Sequence, residues 1–153
     1  MTLYELLVVV HIVAAAVWIG GGVTVSLIAA RAWASRDDDT VVELSRIGDH
    51  VGARMFGPAA FVLLGAGIWA VSEGGWEWGD PWVTIGFLGW VAGFLIALVW
   101  HRTEGERIRA AVADGGAAGP RARSVATTGM VVGLVELAIL VVVVWAMVAK
   151  PGL

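Results

Sequence analysis

Apolar positions in this chain fall into four long runs, and polar ones into three connections. From Leu3 to Ala30 no charge occurs between Glu5 and Arg31. Further runs cover about 56–71, 82–100 and 126–149, the last with Glu136 as its only charge. A helix needs ~20 apolar residues to cross a hydrocarbon core, and each run approaches or exceeds that length. The second is the shortest, but it extends backwards through the amphipathic stretch from Val41 to Arg54. The alternation of a membrane barrel is missing. The pattern predicts an all-α protein, a transmembrane four-helix antiparallel bundle, with residues 1–153 as a single membrane domain. The first run lacks a basic leader and exceeds the usual ~7–15 residues of a cleaved signal core, so it is expected to remain as a helix.

The basic residues orient the bundle. Arg31, Arg36, Arg46 and Arg54 lie in the first connection, and Arg102, Arg107, Arg109, Arg121 and Arg123 in the third. The second connection, 72–81, carries Glu73, Glu77 and Asp80 and no basic residue. The positive-inside rule then makes loops 31–55 and 101–125 cytoplasmic, loop 72–81 extracytoplasmic and both termini extracytoplasmic. The implied location is a bacterial inner or plasma membrane. Trp76, Trp78 and Trp82 sit at the outer boundary, where amphipathic rings anchor. Gly89 with Gly93, and Gly129 with Gly133, are small residues spaced by four. Such faces let helices approach closely, within the bundle or in a homodimer. Asp39 or Thr40 is placed to cap a cytoplasmic helix, and Asp114 to Arg123 reads as a flexible loop.

Composition narrows the chemistry. The chain is 59% hydrophobic and 15% charged, with a mean hydropathy of +0.84, whereas soluble domains are about a quarter charged. Without Cys there are no thiolate metal sites or Cys nucleophiles. A net charge of −3 gives no footprint for nucleic acid. Met55, Met130 and Met147 show no Met-x-x-Met spacing, so soft copper ligands are missing. No nucleotide-binding loop and no hydrolase constellation is present.

Two ionisable residues lie inside the spans, where charge is costly and marks candidate sites. His11 shares a face of the first helix with Trp18, and Gly20 and Gly22 thin that helix below it. An imidazole beside a small-residue stripe and a Trp wall is a candidate axial ligand for b-type haem, with His11 as the metal ligand. Glu136 is the second residue. Counted from the outer ends, it lies ~13 residues deep and His11 ~8, an offset of roughly 7–8 Å. A His11–Glu136 pair is therefore expected, either as a proton or ion path or as a structural clasp. His50 and His101 fall on the cytoplasmic side and read as surface histidines. Glu73, Glu77 and Asp80 are a candidate outer acidic cluster that concentrates cations.

The opening Leu6-Leu7-Val8-Val9-Val10-His11 through Trp18-Ile19-Gly20-Gly21-Gly22 resembles a recurring pattern of bacterial membrane proteins: apolar run, His, six residues, then Trp-x-Gly. It is similar to the first helix of a four-span family of unknown function. Related openings occur in copper-resistance protein D and in HemJ-type protoporphyrinogen oxidase. The resemblance implies a four-span layout; His11, Trp18 and Gly20 carry over from the motif, and His11 resembles the haem-linked His of the HemJ-type helix. This chain lacks the Tyr-x-x-Arg and closing His of the HemJ-type helix, and its only Lys is Lys150. Three readings follow. The first is a small membrane protein holding haem at His11 for electron transfer or redox sensing. The second is a proton or metal-cation transporter component using His11 and Glu136. The third is an accessory or scaffold subunit with a structural His–Glu pair. If the chain is an enzyme, the first reading makes it a membrane oxidoreductase.

Overall fold

The computed structural model describes residues 1–152. It is 88% helical, without strands among the described residues, and has four rods long and apolar enough to span a membrane. The first rod is α1 (Leu3–Ser35). Thr2 starts it with a capping box: its hydroxyl accepts from the Glu5 amide at 3.2 Å, and its own amide donates to the Glu5 carboxylate at 2.8 Å. At about 1.5 Å per residue this helix is ~50 Å long, well over the ~30 Å core, so it projects beyond the hydrocarbon.

The second rod joins α2 (Asp38–Val51) to α3 (Gly57–Glu73) through a π turn at Gly52–Phe56. Pro58 explains the wide turn. It has no N–H to give the Arg54 carbonyl, and its ring crowds that carbonyl, so the backbone opens there. Asp37 caps α2, accepting from the Thr40 amide at 3.0 Å and from the Thr40 hydroxyl. The cap therefore lies two residues before Asp39, because Asp38 and Asp39 already form the acidic first turn.

The third rod joins α4 (Pro81–Ile96) to α5 (Arg102–Gly115) through a second π turn at Ala97–His101. The fourth is α6 (Pro120–Ala149). The connections 31–55 and 101–125 are thus mostly helix, and the loop expected over Asp114–Arg123 shrinks to residues 116–119. Their apolar residues account for this. Ala32, Val41, Val112 and Ala117 bury one another at the end that carries the arginines, with Trp33, Leu44 and Ile108 around them. Gly116 turns the chain at φ 71°, and Pro120 starts α6 where a helix lacks an N–H partner anyway.

The rods pair as antiparallel neighbours, α1 against α3 and α4 against α6, while α2 packs on α5 at the basic end. At the opposite, acidic end Val71, Trp82, Val83 and Ala146 form a second core. Between the two cores the helices interlock by side chains seated on glycines. Met147 covers Gly86, Val143 covers Gly89, and Phe56 covers Gly21. The expected Gly89–Gly93 face is divided between two neighbours, since Gly93 lies under the Trp18 ring of α1. Gly129 lies against Glu104 and Gly133 against Ser26. Residues four apart on a helix are turned by about 40°, enough to face different partners in a bundle. Leu27, Val99 and Val148, exposed at 67%, 69% and 80%, are what a lipid solvent accepts.

Candidate functional site

The His11 side chain turns to α3. Its Nδ1 lies 2.9 Å from the carbonyl oxygen of Leu63, and since a carbonyl only accepts, Nδ1 carries the proton. The ring rests over Gly67, where an added Cβ would come within 2.9 Å of it. Trp18 turns to α4 instead, and Gly20 and Gly22 face open space. The four residues expected to line one cofactor site are therefore distributed over different surroundings.

Glu136 does not meet His11. Its Oε2 accepts from His101 Nε2 at 2.9 Å, and the other ring nitrogen of His101 lies 2.8 Å from Glu104 Oε2. Depth counting gave the vertical offset between His11 and Glu136 but no azimuth, and the azimuth decides the partner. On α1 the His11 face is committed to α3, whereas the Glu136 face of α6 looks at the second π turn and α5. His101 closes that π turn. Wide turns of this kind often mark functional positions, because they re-aim a side chain that a regular helix would direct elsewhere.

The trio is arranged as a line. Glu104 follows His101 by three residues, the spacing that stacks side chains along one helix face. Gly129 makes room for it, since a Cβ there would lie 2.9 Å from Glu104 Oε1. Gly129 and Glu136 are seven residues apart, two turns on one face of α6. The antiparallel register that sets Val143 on Gly89 and Glu104 on Gly129 places Glu136 deeper in the bundle than His101, by about one turn. Side chains of His101, Glu104 and Glu136 are 42%, 27% and 23% exposed, so the ring in the middle of the line is its most exposed member. With both ring nitrogens facing carboxylates, His101 donates to both only as an imidazolium.

The line is not a metal cage. Each ring nitrogen addresses a different carboxylate, so the donors do not converge, and no metal-holding group of three or more His, Asp or Glu occurs among the described residues. Two of the outer acids make local hydrogen bonds. Glu73 accepts from the Trp69 indole at 3.1 Å, and Asp80 accepts from the Glu77 amide at 3.2 Å. His101 escaped the sequence reading because its position beside Arg102 suggests a solvated boundary. The signal available was Glu104 at the third position after it.

The family described as "Predicted integral membrane protein (DUF2269)" matches residues 5–151. The chain belongs to this family. The match covers all four rods of the DUF2269 chain and so extends well past the first-helix motif. No curated protein and no solved structure matches it.

Proposed function

We propose that this DUF2269 protein is the proton-handling component of a membrane transport system, and that its working group is the line Glu104–His101–Glu136. The observation that carries the reading is an imidazole bridging an intramembrane carboxylate and a second carboxylate nearer the arginine-rich end. Ionisable groups inside a membrane are rare and most often serve substrate, ion or proton paths. By the positive-inside rule the arginine-rich end is cytoplasmic, so Glu136 exchanges protons with the cytoplasm. In one transfer Glu104 gives its proton to His101 Nδ1 while the proton on Nε2 passes to Glu136. Glu104 ends as carboxylate, Glu136 as acid, and the ring as the neutral tautomer protonated on Nδ1, which returns to the Nε2–H form by losing that proton and regaining one at Nε2.

The haem reading rests on the donor chemistry at His11. A ligating His characteristically gives its other N–H to a carbonyl or carboxylate, as Nδ1 does here to Leu63. Space argues against it. Gly67 is closed by the His11 ring itself and Gly93 by Trp18. An apolar groove of about 330 Å³ runs beside α1, but Val9, Val13, Val17, Ala59 and Val62 line it and His11 does not. The residues present do not fit the group.

The test is proton flux in proteoliposomes carrying an entrapped pH dye, driven by a potassium diffusion potential. Wild type is expected to acidify or alkalinise the lumen according to the sign of the potential, and Glu136→Gln and His101→Gln to lose at least about tenfold of the rate, at least ~1.4 kcal/mol of barrier. Folded wild type that conducts no protons would overturn the reading and leave the line as a structural clasp.

A further inference from the structure

A second polar feature lies on the arginine-rich side, away from the line just described. Arg46, Asp49 and His50 of α2 and Arg109 of α5 surround an open recess of about 490 Å³. Arg109 is anchored there, donating to Asp49 at 2.8 Å and to Ser45 at 3.3 Å. Gly105 leaves room for the Asp49 carboxylate. Arg54 adds a third guanidinium, its Nη1 lying 2.7 Å from His50 Nε2. A guanidinium only donates, so His50 Nε2 is the acceptor and its proton sits on Nδ1. That ring is therefore a neutral hydrogen-bond donor beside the recess. Arg46 is held only loosely, 4.0 Å from Glu43 with both side chains about two-thirds exposed, and a surface pair of this kind contributes little. Two guanidiniums, Arg46 and Arg109, thus border a concavity whose carboxylate, Asp49, is already taken by Arg109, and Arg54 adds its charge one turn along on the His50 ring.

The same rod continues from this recess into the apolar segment. Arg46, His50, Arg54, Ala59 and Val62 follow one another at steps of four, four, five and three residues. The long step coincides with the π turn at Gly52–Phe56, whose wider winding keeps the five on one stripe. Ala59 and Val62 border the apolar groove between α3 and α1. A basic recess therefore stands above an apolar groove on a single helix face, at the level where the chain enters the hydrocarbon.

We infer that this stripe binds one anionic phospholipid, with Arg46, Arg54, Arg109 and His50 on its phosphate and one acyl chain in the groove beside Ala59 and Val62. Guanidinium forks match phosphate oxygens in geometry and charge, and basic pockets beside spans on the cytoplasmic side suit anionic headgroups. The groove is what distinguishes a lipid from a free phosphate ester.

The test uses the full chain in mild detergent, with native mass spectrometry as the readout. The probes are dioleoyl phosphatidylglycerol, dioleoyl phosphatidylcholine and glycerol 3-phosphate. Wild type is expected to retain one phosphatidylglycerol under conditions that strip phosphatidylcholine. The double variant Arg46→Gln/Arg54→Gln alters exposed side chains and is expected to lower that occupancy about tenfold. Ala59→Trp, which fills the groove, is expected to lower it without touching the recess. Arg123→Gln, a basic residue elsewhere at the same end, is expected to change nothing. Equal retention of both lipids, unchanged occupancy in the double variant, or an equal loss in Arg123→Gln would overturn the site. Displacement of the lipid by millimolar glycerol 3-phosphate would overturn the lipid as its source. None of these outcomes depends on proton flux.

Discussion

His101 Nε2 donates to Glu136 Oε2 at 2.9 Å across 35 residues of sequence, joining the end of the second π turn to the middle of α6. A double-mutant cycle measures what that bond contributes. His101→Ala leaves two carboxylates facing each other without the ring between them. It is expected to destabilise the protein by about 1.5–3 kcal/mol, the range for hydrogen bonds to charged groups. Glu136→Ala in the His101→Ala background should then cost less than in wild type, with a coupling of at least about 0.5 kcal/mol. Additive losses in thermal unfolding in detergent would show that the two side chains do not act as a pair.

Clearance around Glu104 gives the second prediction. Gly129 faces the end of the Glu104 side chain, so Gly129→Ala requires only a small shift of a flexible group. Gly129→Leu displaces Glu104 from His101. The Ala variant is expected to keep proton flux within about twofold and the Leu variant to lose most of it, at a stability cost of about 1–3 kcal/mol. Equal flux in the Leu variant would remove Glu104 from the line.

The layout was legible in the sequence and the pairing was not. Four apolar runs, an all-α bundle and the gathering of the arginines at one end follow from hydropathy and charge along the chain, quantities that do not depend on which way a side chain turns. Partner choice does depend on it. Glu136 was recognisable as an intramembrane acid, but the choice between His11 and His101 rests on helix rotation and on a π turn that no Pro or Gly announces. The first π turn, in contrast, has its cause in view at Pro58. Between the spans, Val41–Arg54 was legible as an amphipathic stretch behind a cap, whereas 102–115 was not legible as helix: its apolar residues are sparse, and Val112 is buried against Ala32 and Val41 of other helices.

His11 supplies a prediction that separates its role from that of Glu136. Its bond to the Leu63 carbonyl ties α1 to α3, so His11→Ala is expected to lower stability by about 0.5–1.5 kcal/mol and to leave proton flux unchanged. The oxidised and dithionite-reduced visible spectra of protein from haem-replete cells should be flat. A Soret band that His11→Ala abolishes would restore the haem reading.

Acid should loosen the arginine-rich end first. Hydrogen bonds from the Thr40 hydroxyl and amide hold the Asp37 carboxyl below its ordinary value. A depressed folded value means that the cap's contribution is complete above the unfolded value of about 4 and is lost as pH falls through the lower, folded one. Below that value the start of α2 loses its ionised acceptor and the helix frays from Asp38 towards Val41. Asp37→Asn caps nearly as well without titrating, so it should keep wild-type stability near neutral pH and show a flatter fall in acid. Hydrogen exchange of the Thr40 and Val41 amides, followed with falling pH in both proteins, checks this. Identical pH profiles would mean that the Asp37 charge contributes nothing to the cap.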